Sequence, residues 1–269
     1  MSRTEMPPPE PVTVTAPRPV RRPVLVQGWH DLAFLHWPVD PAVVAPLLPP
    51  GTRPDTFDGT SYVGLIGFRM VGVGLGPGPG IPYLGTFCET NVRLYSVDDA
   101  GRRGVVFRSL DAARLLPVLV AMASLRLPYL WSRMRLDRDG DTVTYHSRRR
   151  WPGPRGAHNR MAVRVGAPIA EPTPLEHFLT ARWGLHERVY GATRYLPNEH
   201  PRWPLHRAEL VDLADDLVAT GGLPAPDGPP VSVLYSPGVP VRFGRPVTVT
   251  GHATRGAARP GSGPAGRPR

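Results

Sequence analysis

Residues 87–95 (FCETNVRLY) hold the residue types best suited to chemistry in this chain. In a strand, alternate side chains point to opposite faces, so Glu89, Asn91 and Arg93 share a face with Phe87. An acid, an amide and a base in one row can bind or transform a small polar molecule when the row lines a cavity. A row that faces solvent has the same pattern, and the pattern alone leaves both interpretations open.

Each polar residue near this strand has a candidate role. Glu89 can serve as a general base or acid if burial raises its pKa. Arg93 or Arg69 can hold a carboxylate in a bidentate pair. The alternative for Glu89 and Arg93 is an internal ion-pair network that only stabilises the fold. After the next strand, Asp111 either caps a helix or lines the pocket, and Arg114 is a further candidate for binding a ligand.

Missing residue types exclude several reactions. Every one of the 32 basic residues is arginine, so neither a Schiff-base lysine nor a phosphate-loop lysine exists. The single cysteine, Cys88, excludes an intramolecular disulfide and a multi-cysteine metal site. The nine histidines are scattered without the spacing of metal ligands. We therefore expect no bound metal, and no motif implies a cofactor.

Composition separates the two ends from the centre of the chain. Residues 1–23 are rich in proline and arginine, and residues 251–269 consist mostly of glycine, proline, alanine and arginine. Such segments bury too little apolar surface to offset the entropy of ordering, which predicts disorder for both. Residues 24–250 are then expected to form a single domain.

The net charge of +10 belongs largely to these ends, which hold eight arginines and two glutamates and leave +4 on the central domain. Tail charge supports weak, non-specific contacts, so we expect no specific nucleic-acid partner. The sequence has no apolar run of membrane-spanning length and no apolar signal core. A cytoplasmic protein that binds a small-molecule ligand or substrate is expected, and a homo-oligomer is compatible with the sequence.

Local signals predict the elements around residues 87–95. Asp58-Gly59 indicates a hairpin turn before a long strand. Thr173 and Glu176 form a capping box at the start of a helix. The apolar spacing of residues 115–125 predicts another helix, and the glycines of residues 71–84 favour a flexible hairpin or flap at the mouth of a cavity over a phosphate-binding loop.

A series of motifs closely resembles the YqjF family of uncharacterised proteins, the domain-of-unknown-function family 2071. The resemblance covers residues 24–245 and is specific because the motifs occur in the family's order. They are HWPVDP at 36–41, TFDG at 56–59, GFRM at 67–70, ETNVR at 89–93, SLDA at 109–112, LPY at 127–129 and LEHFLT at 175–180.

That family looks related to the acetoacetate decarboxylase superfamily. The relationship implies a β-rich α+β fold, in which a curved, mostly antiparallel sheet closes into a cone or barrel with a few peripheral helices. In this match Glu89 takes the position of the pocket glutamate, and Tyr129 takes that of the reactive lysine. His30 takes the position of an early-strand arginine, which makes it a candidate for binding the substrate.

Because lysine is absent, imine-dependent decarboxylation is excluded, while the pocket itself can persist. Glu89 as acid or base, with the Tyr129 hydroxyl donating to a developing oxyanion, suits a lyase, isomerase or hydratase. The substrate class expected for such chemistry is a small keto or hydroxy acid. The alternative is a barrel that binds a small ligand without catalysis.

Overall fold

Thirteen β-strands pair into one sheet in the computed structural model, which describes residues 7–76, 78–115 and 127–249. The strands are β1 (Leu25–Val39), β2 (Thr52–Pro54), β3 (Ser61–Leu75), β4 (Phe87–Asp98), β5 (Arg103–Ala112), β6 (Tyr129–Asp139), β7 (Thr142–Trp151), β8 (His158–Pro168), β9 (Gly184–Val189), β10 (Ala192–Glu199), β11 (His206–Asp215), β12 (Ser232–Phe243) and β13 (Val247–Thr248). The helices are short: α1 (Pro41–Val44), a 3₁₀ turn (Ala45–Leu47), α2 (Pro174–Thr180) and α3 (Leu217–Thr220).

The sheet closes on itself into a mixed barrel. Its nine-strand ring runs β5-β6-β7-β8-β11-β12-β1-β3-β4 and returns to β5. Pairings of β5 with β9 and of β10 with β12 close a second, seven-strand ring of β1, β3, β4, β5, β9, β10 and β12. The two pairings of β5 with β6 and β9 are parallel, and the others are antiparallel. The expected β-rich, barrel-like fold is therefore confirmed.

Both rings share strands that are buried on both faces over residues 32–37 of β1, residues 61–68 of β3 and most of β4. One cluster of buried apolar side chains collects Phe34, Ile66 and Leu110 inside the seven-strand ring. The second collects Leu35, Leu65 and other side chains of the opposite faces, together with those of β7 and β8. A polar side chain in these parts of the three strands therefore faces protein, not bulk water, which decides the environment of the row on β4.

Local sequence signals place several of these elements. Asp58 and Gly59 both adopt positive φ angles, 48° and 79°, in the two-residue turn that leads into β3. The Asp40 side chain accepts a hydrogen bond from the Ala42 amide at the start of α1. Thr173 and Glu176 form the predicted capping box of α2.

Other expectations differ from the structure. β3 continues to Leu75, so part of the glycine-rich stretch is strand, and none of its described residues from 71 to 84 lines the central cavity. The helix predicted at 115–125 and the tail 251–269 lie outside the described residues, apart from Leu115. None of the helices in the described ranges is long and apolar enough to cross a membrane.

The N-terminal segment also differs from its expectation. Composition predicts disorder for residues 1–23, but residues 7–23 lie against the barrel with specific contacts. The Glu10 amide donates to the Gly101 carbonyl at 2.9 Å, and the Trp183 indole donates to the Thr13 carbonyl at 3.1 Å. The contacts come mostly from the backbone of the segment, which composition alone does not reveal.

Candidate functional site

The seven-strand ring encloses a cavity of about 100 Å³. It is long, because its lining includes residues of β1 as far apart as Leu25 and Phe34. Most of its wall is apolar or aromatic. The polar lining residues are Gln27, Glu89, Asn91, Arg93, Tyr129, Thr180, Arg182, Asn198 and His200.

Glu89 and Tyr129 form the acid pole of this cavity. The Tyr129 hydroxyl donates a hydrogen bond to Glu89 Oε2 at 3.0 Å, across from β6 to β4. Burial raises the pKa of Glu89 to about 7, against the opposing effects of hydrogen bonds from Tyr129 and Asn91. Burial also raises the pKa of Tyr129 well above its ordinary value, so this hydroxyl stays protonated.

A carboxyl group with a pKa near neutrality can take up and release protons at physiological pH. Glu89 is 3% exposed, although it lies on a cavity wall. The amide oxygen of Asn91 is also buried and has no hydrogen-bond partner among the described residues. The acid pole therefore combines a proton carrier, a neutral hydroxyl donor and an unused acceptor.

Arg93 forms a separate cationic pole. Its Nε donates to the Tyr95 hydroxyl at 3.2 Å, and its Nη2 donates to the Leu179 carbonyl at 2.9 Å. Both acceptors are neutral, and Arg93 makes no ion pair with any acid in the described part of the chain. Arg182 also lines the cavity, but its charge is paired with Asp55.

Two histidines near the cationic pole are held neutral. Burial and the charges of Arg93 and Arg182 hold the pKa of His36 well below its usual range. Burial lowers the pKa of His200 to about 4, and its Nδ1 lies 2.7 Å from the Pro201 carbonyl. That contact assigns the proton to Nδ1, so Nε2 of this cavity-lining ring is an acceptor.

Glu89, Tyr129, Asn91 and Arg93 are thus the predicted site residues that the structure brings to one cavity. The other candidates lie elsewhere. His30 and Arg69 lie on the faces of β1 and β3 that point away from the cavity. Arg69 is exposed there and pairs with Asp31 at 3.0 Å. Neither of them lines the central cavity, and their contact with a ligand stays a prediction.

A β-bulge explains the misplacement of His30. The pairing of β1 with β3 shifts between His30 and Ala33, and Asp31 has a φ of 50°. Before the bulge odd-numbered residues such as Trp29 line the cavity, and after it even-numbered ones such as Phe34 do. A match by sequence order alone cannot show this change of face.

Asp111 and Arg114 are also outside the cavity. Asp111 lies within β5, where it accepts hydrogen bonds from Arg149 Nη2 at 2.7 Å and Ser132 Oγ at 2.6 Å, so it neither caps a helix nor lines the pocket. Arg114 packs over the Tyr83 ring at 4.0 Å and donates to its hydroxyl. Neither residue lines the central cavity, and a role of either in ligand binding stays a prediction.

The sequence did not indicate Arg182, His200 or the aromatic wall of Trp29, Trp203 and Phe243. These residues come from separate elements that only the closed barrel brings together. In the described ranges no group of three potential metal ligands among His, Cys, Asp and Glu comes close enough to hold an ion.

Comparison with known proteins assigns the family. The family model DUF2071, described as an uncharacterized conserved protein, matches residues 26–240. The chain belongs to this family. The uncharacterized protein YqjF of Bacillus subtilis (strain 168) is 31% identical over 210 residues, which are 77% of this chain and 86% of that relative.

Solved structures place this DUF2071 member among acetoacetate decarboxylase-like folds. The enduracididine biosynthesis enzyme MppR, complexed with pyruvate, matches 86% of this chain and 92% of its own with a TM-score of 0.58 and 14% identity. An acetoacetate decarboxylase-like enzyme from Sphingomonas wittichii RW1 matches 84% and 93%, with a TM-score of 0.56 and 12% identity. At these identities the likeness shows the fold alone.

Proposed function

We propose that this protein catalyses proton transfer beside the carbonyl or hydroxyl group of an organic acid, as an isomerase, hydratase or lyase that uses no lysine. The observation that carries the proposal is the buried Glu89–Tyr129 pair, which is 3.0 Å apart inside the cavity. MppR, a structural neighbour, is known in complex with pyruvate, which supports an acid of the keto class as the ligand.

The hydrogen bond between Tyr129 and Glu89 couples ligand binding to the basicity of the Glu89 carboxylate. The Tyr129 hydroxyl has a single hydrogen, which is directed at Glu89 in the free protein. A ligand carbonyl that accepts this hydrogen removes a bond that favours the Glu89 anion, so the pKa of Glu89 rises further and the carboxylate becomes a stronger base. The carboxylate then removes a proton from the carbon beside the carbonyl, while Tyr129 stabilises the enolate oxygen.

Solvent deuterium exchange tests this function. Wild-type protein in D₂O should exchange the protons beside the carbonyl of keto acids faster than buffer does, as followed by proton NMR. Glu89→Gln should reduce this rate by roughly 10²–10⁴-fold because it removes the base. Tyr129→Phe should reduce it by about 10²-fold because it removes the oxyanion donor.

Glu187→Gln is the matched control. Burial raises the pKa of Glu187 to about 7 as well, but this carboxyl does not line the central cavity. The variant should keep the wild-type exchange rate. An equal loss in Glu187→Gln and Glu89→Gln would contradict a specific role of Glu89, and binding without any exchange would favour the non-catalytic barrel.

A further inference from the structure

The cavity holds a cation that has no anionic partner among the described residues. The Arg93 side chain is partly accessible inside the barrel, and its bonds to Tyr95 and Leu179 leave Nη1 and one hydrogen of Nη2 unbonded to any described residue. Burying an unpaired charge is costly, so a cation held in a cavity favours an anionic ligand. The free nitrogens suit a carboxylate approached end-on.

The acid pole and the cationic pole lie at different levels of β4. Glu89 pairs with Phe68, Asn91 with Ile66, and Arg93 with Gly64. Four residues of extended strand separate the Cα atoms of Glu89 and Arg93 by roughly 13 Å. Arg93 moreover reaches towards Tyr95, which lies two residues farther from Glu89, so the two poles do not converge.

Apart from Asn91, the level between the poles is apolar. Ile66 and Leu110 flank Asn91 on the neighbouring strands, and Phe34 follows beyond Ile66. All of these side chains line the cavity. A ligand that reaches from Arg93 to Glu89 therefore needs an apolar middle, and the small volume of the cavity, about 100 Å³, favours an unbranched chain.

We propose that the ligand is a linear acid whose carboxylate binds Arg93 and whose carbonyl or hydroxyl group lies at Glu89 and Tyr129. With contacts of about 3 Å at each end, the Cα separation of roughly 13 Å leaves roughly 7 Å or more between the two groups. A chain of about five methylene groups spans this length, as in 7-oxooctanoate. This inference rests on the proposed function and specifies its substrate class as medium-chain oxo or hydroxy acids.

Calorimetric titration of the full chain with a series of oxo acids tests the separation of the poles. The series is pyruvate, 4-oxopentanoate, 5-oxohexanoate, 6-oxoheptanoate and 7-oxooctanoate. The dissociation constant should be smallest for the longest acids and at least tenfold larger for pyruvate. Exchange of the protons beside the carbonyl should show the same dependence on length.

Removing the charge of Arg93, or the charge of the ligand carboxylate, tests the contact between them. Arg93→Gln should weaken the binding of 7-oxooctanoate at least tenfold. Arg69 is an exposed arginine on the other face of β3, so Arg69→Gln should leave the binding unchanged. The amide of 7-oxooctanoate with wild-type protein removes the same charge from the ligand. It should bind at least tenfold more weakly than the acid, even if Arg93→Gln fails to fold.

The outcomes separate this inference from the proposed function. Pyruvate binding as tightly as the long acids, with exchange that still depends on Glu89, would overturn the two-pole ligand and leave the function standing. The amide binding as tightly as the acid would overturn the role of Arg93. Neither binding nor exchange with any acid of the series would overturn both proposals.

Discussion

Glu89 owes its chemistry to the closure of two rings around β4. Both faces of that strand are buried, so an ordinary carboxyl loses its hydration and its pKa rises to about 7. The folded state then holds a proton that the unfolded state releases near pH 4.5. The contribution of this group to stability is fully present below about pH 4.5 and is lost as the pH rises through 7.

Replacement by glutamine should remove this pH dependence. Glu89→Gln keeps the neutral shape, so its free energy of unfolding should equal that of wild type near pH 4.5 and exceed it by about 3 kcal/mol at pH 8. Urea unfolding at the two pH values measures the difference. Glu209→Gln, a change of an exposed carboxylate on β11, should show no such trend. A difference between Glu89→Gln and wild type that is the same at both pH values would contradict a raised pKa of Glu89 in the folded state.

At the same scale, the alternation of side chains was enough to place Glu89, Asn91 and Arg93 on one face, as the structure confirms. The sequence left open whether that face meets water or a cavity, because burial depends on strands far along the chain. His30 lies outside the cavity for a different reason. The bulge at Asp31 reverses which residues of β1 face inward, and no residue type in this stretch predicts a bulge.

Among the elements, the short parallel pairing of β5 with β6 positions Tyr129. β5 and β6 pair over only three residue positions, and Tyr129 is the first of these on β6. The buried Asp111–Arg149 ion pair joins β5 to β7 beside this pairing, and Ser132 of β6 donates a hydrogen bond to the same carboxylate. The pair therefore holds together the strands that bring the Tyr129 hydroxyl to Glu89.

Removing one partner of this pair should be strongly destabilising. Asp111→Asn leaves the Arg149 charge buried without compensation and should cost about 3–5 kcal/mol in chemical denaturation. Breaking the exposed Arg164–Glu209 pair with Glu209→Gln should cost less than about 1 kcal/mol. The double variant Asp111→Leu, Arg149→Met should recover much of the loss, and equal losses in the single and double variants would argue against a buried charge as the cause.

Element boundaries were less predictable than element types. The capping box of α2 and the Asp58-Gly59 turn are local signals, and both are confirmed. Pro237 and Gly238 are residue types that often end a strand, but β12 continues through both. Gly238 has a φ of 132° and meets the Trp29 carbonyl of β1, a contact that only a glycine fits.

For the whole molecule, the N-terminal segment links parts of the barrel that are distant in sequence. Glu10 bonds to Gly101 in the turn between β4 and β5, while the Val20 amide donates to Glu199 of β10 at 2.7 Å. The Val20 side chain is 7% exposed. Composition predicted a tail without order here, since proline-rich segments bury little apolar surface of their own; the anchoring contacts of this segment are supplied by the barrel.

Truncation of residues 1–22 should therefore reduce stability. We expect the free energy of unfolding to fall by about 2 kcal/mol or more, because the hydrogen bonds and the burial of Val20 are lost. Urea denaturation of the truncated and full chains measures this. Within the full chain, Val20→Ala should cost about 1 kcal/mol, whereas Val14→Ala, at a residue that is 42% exposed, should cost almost nothing. An unchanged midpoint for the truncated chain would mean that the segment does not contribute to the folded state, and the barrel would then be stable from β1 onwards on its own pairings.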